Sequence, residues 1–136
     1  MPLARLSVPA AVPTRKVRAL ADAVHDGLVA TCDVPPKDRF QLITAFEADR
    51  MILDPTFPDL QRSAEASIVE VLFLEGRNVA QKAALFQHIA TAAIEAGFRG
   101  DDIMIVLSEN APTDWSLGKG LSYGLNHEPG TKPERE

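Results

Sequence analysis

Residues 68–74 have the sequence Ile-Val-Glu-Val-Leu-Phe-Leu, and residues 103–107 have the sequence Ile-Met-Ile-Val-Leu. Both runs are apolar and rich in β-branched residues, which predicts two buried strands. Between them, Asn78 can cap a helix with Gln81 three positions later in a capping box. Gly97 is the residue type that tolerates a left-handed conformation after a helix. The second half of the chain is therefore predicted to form a β-α-β unit.

The first half of the chain repeats this pattern. Residues 3–8 alternate between two faces, which predicts a half-buried strand. Thr14 is predicted to cap a helix that stops before Val34-Pro35-Pro36, because proline cannot continue it. Residues 39–46 are predicted to form a strand. The segment that starts at Asp38 corresponds to the one that starts at Asp101, and the offset between the two halves is about 63–64 residues.

Two such units define the predicted fold class, which is α+β. Crossovers between parallel strands are nearly always right-handed, so we expect one four-stranded sheet with both helices on one face. The inner strands are apolar enough to be covered on both sides, and a chain this short cannot cover both. We expect other subunits to cover the open face, with a folded-back C-terminal segment as the alternative. Residues 1–126 are predicted to be one domain, and residues 127–136 a disordered tail.

Composition excludes several classes of protein. The 136 residues carry 14 lysines and arginines against 19 aspartates and glutamates, a net charge of −5. An acidic chain argues against a nucleic-acid binder, and the longest apolar runs fall well short of a membrane span. One cysteine allows no intrachain disulfide, and no metal-ligand spacing is present. We expect no cofactor and a reducing, cytoplasmic setting.

Proline at position 2 is the main chemical signal. Methionine aminopeptidase normally removes Met1 when the next residue is small, which would leave Pro2 with a free secondary amine. Terminal amines have an ordinary pKa of about 7.7–8.0, so this group can serve as a base, an acid or an iminium-forming nucleophile. A strand that begins at Pro2 would hold the amine in place. Chance is the alternative explanation, since many chains begin with Met-Pro.

These features together resemble the tautomerase superfamily, and within it most closely the malonate semialdehyde decarboxylases. The resemblance covers nearly the whole predicted domain. It is carried by Pro2-Leu3, Ala23-Val24-His25, Val34 to Gln41, Gln61-Arg62-Ser63, Arg77 with Gln81-Lys82, and Glu109-Asn110 with residues 114–120. The segments Val-Pro-x-x-Asp-Arg-aromatic-Gln and Asp-Trp-Ser-x-Gly-basic-Gly are the more specific ones.

The resemblance implies a role for each matching residue. Pro2 matches the catalytic proline, and Asp38 the aspartate beside it, where a carboxylate favours the protonated amine. Arg77 matches a carboxylate-binding arginine, whose fork can donate two parallel hydrogen bonds. The implied further substrate contacts are His25, Arg39, Arg62, Trp115 and Leu117.

Each of these residues also has a structural explanation. Asp38 can be a turn residue, and His25 can be a hydrogen-bonded or surface histidine. Salt bridges account for Arg39 and Arg62 as well as substrate contacts do. Trp115 and Leu117 can be packing residues at a subunit contact.

Glu75 departs from the family pattern. Where these decarboxylases have arginine, proline and arginine, this chain has Glu75-Gly76-Arg77. A glutamate repels a carboxylate, so a different oxo acid, or a substrate whose second group is neutral, becomes credible.

The resemblance implies a cofactor-free homotrimer that decarboxylates a small oxo acid, with water addition as a side activity. Keto–enol tautomerisation of a 2-oxo acid is the alternative activity. A third possibility is an oligomeric binding protein that has lost catalysis. No nucleic-acid or membrane partner is expected.

Overall fold

A computed structural model describes residues 1–125, and the predicted tail at 127–136 lies outside the described residues. The described chain forms one four-stranded sheet in the order β2-β1-β3-β4. Strand β1 is parallel to β2 and antiparallel to β3, and β3 is parallel to β4. The predicted α+β fold with two β-α-β units is confirmed. Its elements are β1 Pro2–Pro9, α1 Thr14–Thr31, β2 Gln41–Phe46, β3 Ser67–Leu74, α2 Val79–Glu95 and β4 Ile103–Asn110.

The core lies between the sheet and the two helices. Alternate residues of β1 and β3 point towards the helices, because successive side chains of a strand face opposite sides. The helices also pack against each other. Within residues 1–125, neither helix is long and apolar enough to cross a membrane. The largest fully buried apolar side chains are Phe73, Leu6, Leu20, Leu28, Leu85 and Ile89.

The capping residues observed at the helix ends agree with the prediction for α2 and differ from it for α1. The capping box of α2 is confirmed: Asn78 Oδ1 accepts from the Gln81 amide at 2.8 Å, and Gln81 Oε1 accepts from the Asn78 amide at 3.0 Å. Gly97 has φ of 105°, the left-handed backbone expected after this helix. The prediction that Thr14 caps α1 is wrong by one residue. The Pro13 carbonyl accepts the first helical amides, from Lys16 and Val17, so Thr14 is already helical.

The two halves are related by a pseudo-two-fold arrangement that gives Asp38 a counterpart. Ala4 pairs with Gln41 in the first half, and Val69 pairs with Ile105 in the second. Ala4 and Val69 are each the third residue of their strand, so Gln41 corresponds to Ile105, an offset of 64 residues. The counterpart of Asp38 is therefore Asp102, one residue beyond the Asp101 expected from the sequence. Asp102 is 1% exposed and accepts hydrogen bonds from the Ser63 amide, at 2.7 Å, and the Ser63 hydroxyl.

The sheet face away from the helices is open and apolar. Arg5 and Glu70 pair across β1 and β3 near its centre. Residues 111–125 do not cover this face, which removes the folded-back alternative as far as residue 125. Its exposed apolar side chains, between 40% and 53% accessible, are Phe40, Leu42, Met104 and Val106.

Candidate active site

Strand β1 brings Pro2 to the edge of the sheet where β3 ends. Pro2 pairs with Phe73 of β3, and Ala4 pairs with Gln41 at the start of β2. The chain terminus is thus fixed between two strands. The amine of Met1 lies 2.7 Å from Asp38 Oδ2, and Met1 itself is only 8% exposed. An amine and a carboxylate therefore face each other in a largely enclosed space.

Helix α1 and the residues before β2 form the walls of this space, which we call the Pro2 site. It is lined by Pro2, Ala4, His25, Leu28, Asp38, Arg39, Phe40 and Gln41. Asp38 has one oxygen on the Met1 amine, while its Oδ1 is buried without a hydrogen-bond partner among the described residues. A buried acceptor without a donor is costly for stability, and a catalytic role is one explanation for such a group.

His25 and Arg39 lie in the Pro2 site, and both have partners. His25 is buried, and its Nε2–H donates to the Pro36 carbonyl at 2.9 Å, which fixes the orientation of the ring. Arg39 donates to Asp22 at 2.7 Å and to the Gln41 side chain at 3.0 Å. His25 therefore makes the hydrogen bond, and Arg39 the salt bridge, that their structural explanations predict. Both side chains also line the Pro2 site.

Arg77 is held at the same edge of the sheet. It donates to the Cys32 carbonyl through Nε and Nη2, at 3.2 and 3.0 Å, and to the Leu74 carbonyl through Nη1 at 2.9 Å. Its guanidinium also lies 5.2 Å from the centre of the Phe73 ring, and Phe73 pairs with Pro2. Since a guanidinium has five N–H groups, each terminal nitrogen keeps one for a ligand, counting only partners within residues 1–125. Glu75 is exposed beside it.

An ion pair stands next to Arg77. Lys82, in the first turns of α2, donates to the Glu109 carboxylate at the end of β4. This hydrogen bond is the main reason that the pKa of Glu109 lies below its ordinary value, and the charge of Arg77 contributes less. Two cations and two carboxylates therefore line the edge of the sheet beyond Pro2.

The segment after β4 folds back through a chain of hydrogen bonds. Trp115 Nε1 donates to Asn110 Oδ1 at 2.6 Å, and the Tyr123 amide donates to the Trp115 carbonyl at 2.9 Å. Leu117 remains 55% exposed. Burial, and then the negative charge of Asp38, raise the pKa of the Tyr123 hydroxyl.

Arg62 does not join the Pro2 site within one chain. It donates through Nη1 to the carbonyls of Asp54, at 2.9 Å, and Phe57. It lines a separate cavity of about 380 Å³ together with Pro9, at the opposite end of β1 from Pro2. Among the described residues, no group of three or more His, Cys, Asp or Glu side chains could hold a metal ion.

Comparison with known proteins identifies the family of the chain. The tautomerase enzyme family matches residues 38–118. The probable tautomerase YusQ of Bacillus subtilis is 30% identical over 105 residues, which are 76% of this chain and 83% of YusQ. FG41 malonate semialdehyde decarboxylase, in a crystal structure inhibited by 3-bromopropiolate, is 35% identical and superposes with a TM-score of 0.85 over 91% of this chain and 95% of that one.

A second malonate semialdehyde decarboxylase, whose structures address decarboxylase and hydratase activities, is 26% identical with a TM-score of 0.84 over 91% and 96% of the two chains. The chain therefore belongs to the tautomerase family and is an enzyme of the tautomerase superfamily. Within that superfamily it is similar to the malonate semialdehyde decarboxylases. The interpretation as a non-catalytic binding protein loses its support.

Proposed function

We propose that removal of Met1 exposes the Pro2 amine, which acts with Asp38 on a small oxo acid without a cofactor. The observation that carries the proposal is the 2.7 Å contact between the terminal amine and Asp38 in an enclosed site. Pro2 and Asp38 line the same site, so a terminus at Pro2 would lie beside the same carboxylate. The space that Met1 fills would become the substrate pocket.

Decarboxylation is the reaction that we propose first. The Pro2 cation, held by Asp38, donates a hydrogen bond to the carbonyl oxygen of a 3-oxo acid. The bond to the carboxylate carbon breaks, carbon dioxide leaves, and the electron pair remains as an enolate hydrogen-bonded to the cation. A proton from the amine then passes to carbon and gives the aldehyde, and water restores the cation. Addition of water to an unsaturated acid is a further activity of such a cation.

Arg77 would bind the substrate carboxylate through the N–H groups that the Cys32 and Leu74 carbonyls leave free. Glu75, in the position of the first arginine of the family pattern, disfavours a second anionic group near it. The proposed substrate is therefore an oxo acid with one carboxylate. Trp115 and Leu117 would form the less polar wall, with His25 and Arg39 on the other side. Arg62 would reach a substrate only across a subunit boundary.

Keto–enol tautomerisation is the second candidate, supported by the naming of YusQ as a probable tautomerase. In that reaction a neutral Pro2 takes a proton from the carbon beside a carbonyl and returns it elsewhere. The two reactions need opposite protonation states of one amine, so the pH dependence of kcat/KM separates them. Activity that falls as pH rises through the amine's titration supports decarboxylation, and activity that rises supports tautomerisation. Rates on malonate semialdehyde and on the enol of phenylpyruvate provide the assay.

Retention of Met1 is expected to abolish the activity. The nitrogen of Pro2 is then an amide without basicity, and the Met1 side chain occupies the pocket. Protein from a host depleted of methionine aminopeptidase activity should be folded but inactive, with circular dichroism and intact mass as the controls. Full activity in protein whose mass includes Met1 would contradict the proposal.

We also propose a homotrimer in which the open sheet faces are buried. Leu42, 50% exposed at this face, is the position to test. Leu42→Lys should shift the sedimentation mass from trimer to monomer, because a buried unpaired charge is strongly unfavourable. The matched control is Ile94→Lys on α2, where the side chain is 54% exposed away from the sheet. A monomeric native protein, or loss of the trimer in both variants, would contradict the proposed interface.

A further inference from the structure

The open face of the sheet carries two opposite charges at its centre. Arg5 of β1 and Glu70 of β3 lie directly opposite each other in the antiparallel pair, and both are exposed. Along the same row, Leu42 of β2 is the neighbour of Arg5, and Val106 of β4 is the neighbour of Glu70. A cation and a carboxylate therefore stand side by side between two exposed apolar side chains.

Among residues 1–125, neither of these charges has an ion-pair partner. Residues directly opposite in an antiparallel pair have Cβ atoms about 4.5–5.5 Å apart, a distance at which Arg5 and Glu70 could form an ion pair with each other. The salt bridges in this part of the chain nevertheless join other side chains. Both charged groups are therefore available to a partner that covers the open face.

The two charges restrict what can cover this face. Burying a charge without a partner is strongly unfavourable, and a buried pair is costly to break. A surface that packs on this face must therefore bring a carboxylate to Arg5 and a cation to Glu70. A second copy of this chain carries both groups at the centre of its own open face, surrounded by apolar side chains that can be buried with them.

We propose that Arg5 of each subunit forms an ion pair with Glu70 of the next subunit around the trimer. This inference rests on the proposed homotrimer and is independent of the chemistry at Pro2. Head-to-tail contacts close into a ring, and because each subunit supplies one cation and one carboxylate, no charge at the centre is left unpaired. Like charges juxtaposed at an interface are costly, so the pair also excludes subunits without this arrangement and determines the specificity of the assembly.

Reversal of one charge should weaken the trimer. Arg5→Glu and Glu70→Arg each place like charges at every contact, so each should raise the dissociation constant of the trimer by about 100-fold or more. Sedimentation over a range of protein concentrations measures this constant. The double variant Arg5→Glu/Glu70→Arg exchanges the two charges and should restore the trimer. The matched controls are Arg15→Glu on α1 and Glu95→Arg on α2, exposed charge reversals that should leave the trimer unchanged.

A mixing experiment distinguishes a contact between subunits from one within a subunit. In rings that contain both Arg5→Glu and Glu70→Arg subunits, two of the three contacts join opposite charges. Mixed trimers should therefore assemble at concentrations where each variant alone is monomeric, as detected by native mass spectrometry, with circular dichroism as the control for folding. A mixture that stays monomeric, or single reversals that leave the trimer intact, would overturn the proposed pairing. A monomeric wild-type protein would instead overturn the proposed trimer, so the two failures are distinguishable.

Discussion

Replacing Pro2 by alanine is expected to lower kcat/KM on an oxo acid by about 10²–10⁴-fold, the range by which a positioned acid or base accelerates a reaction. The proline ring fixes the backbone angle and presents a secondary amine in one orientation towards Asp38. Alanine leaves a primary amine that can rotate and that forms an iminium less readily. Steady-state kinetics on malonate semialdehyde and on the enol of phenylpyruvate measure the loss.

Proline at the other end of the same strand gives the matched control. Pro9 ends β1, remote from Asp38, so Pro9→Ala should keep kcat/KM within a small factor of the wild-type value. Equal losses in the two variants would mean that proline matters only for the strand. An active Pro2→Ala enzyme would rule out the prolyl amine as the reacting group.

Substitutions of Asp38 and of its pseudo-two-fold counterpart Asp102 are expected to have different effects. Asp38→Ala should reduce kcat/KM by about 100-fold or more, since it removes the charge that orients the amine. Its cost in stability should be small, because Asp38 Oδ1 already lacks a partner among the described residues. Removing a buried acceptor that makes no bond relieves a penalty, which offsets the lost ion pair.

Asp102→Ala should have the opposite outcome. It leaves the Ser63 amide and hydroxyl without their acceptor, which should lower the free energy of unfolding by about 1–3 kcal/mol. The kcat/KM of the folded protein should be unchanged. Urea denaturation and steady-state kinetics on both variants measure these effects. Asp38→Ala should lose kcat/KM and keep its stability, and Asp102→Ala should lose stability and keep its kcat/KM. Asp38→Ala with lost stability and intact kcat/KM would assign a structural role to both carboxylates.

Much of the fold could be predicted because its signals are local. The apolar runs located the strands, and Asn78 with Gln81 located the start of α2 to the residue. The predicted start of α1 is one residue too late, because Pro13 and not Thr14 is the capping residue, and its carbonyl accepts the first helical amides. The open face could be predicted because the inner strands are apolar on both sides, while two helices can cover only one side of the sheet.

The site was harder to predict because its members meet through long-range contacts. Asp38 and His25 could be proposed from the resemblance, and both lie in the Pro2 site. Arg62 was grouped with them by the same resemblance, yet β1 separates it from Pro2.

The most direct test of the central claim is intact mass and peptide mapping of the purified enzyme after treatment with 3-bromopropiolate, the inhibitor of the FG41 relative. An electrophilic acid of this kind should label the most reactive amine held in a carboxylate-binding pocket. The predicted result is a protein that lacks Met1 and carries one label on Pro2, formed more slowly in Asp38→Ala and Arg77→Ala. Retained Met1, no label, or a label spread over the lysines would contradict the assignment of Pro2 as the reacting amine.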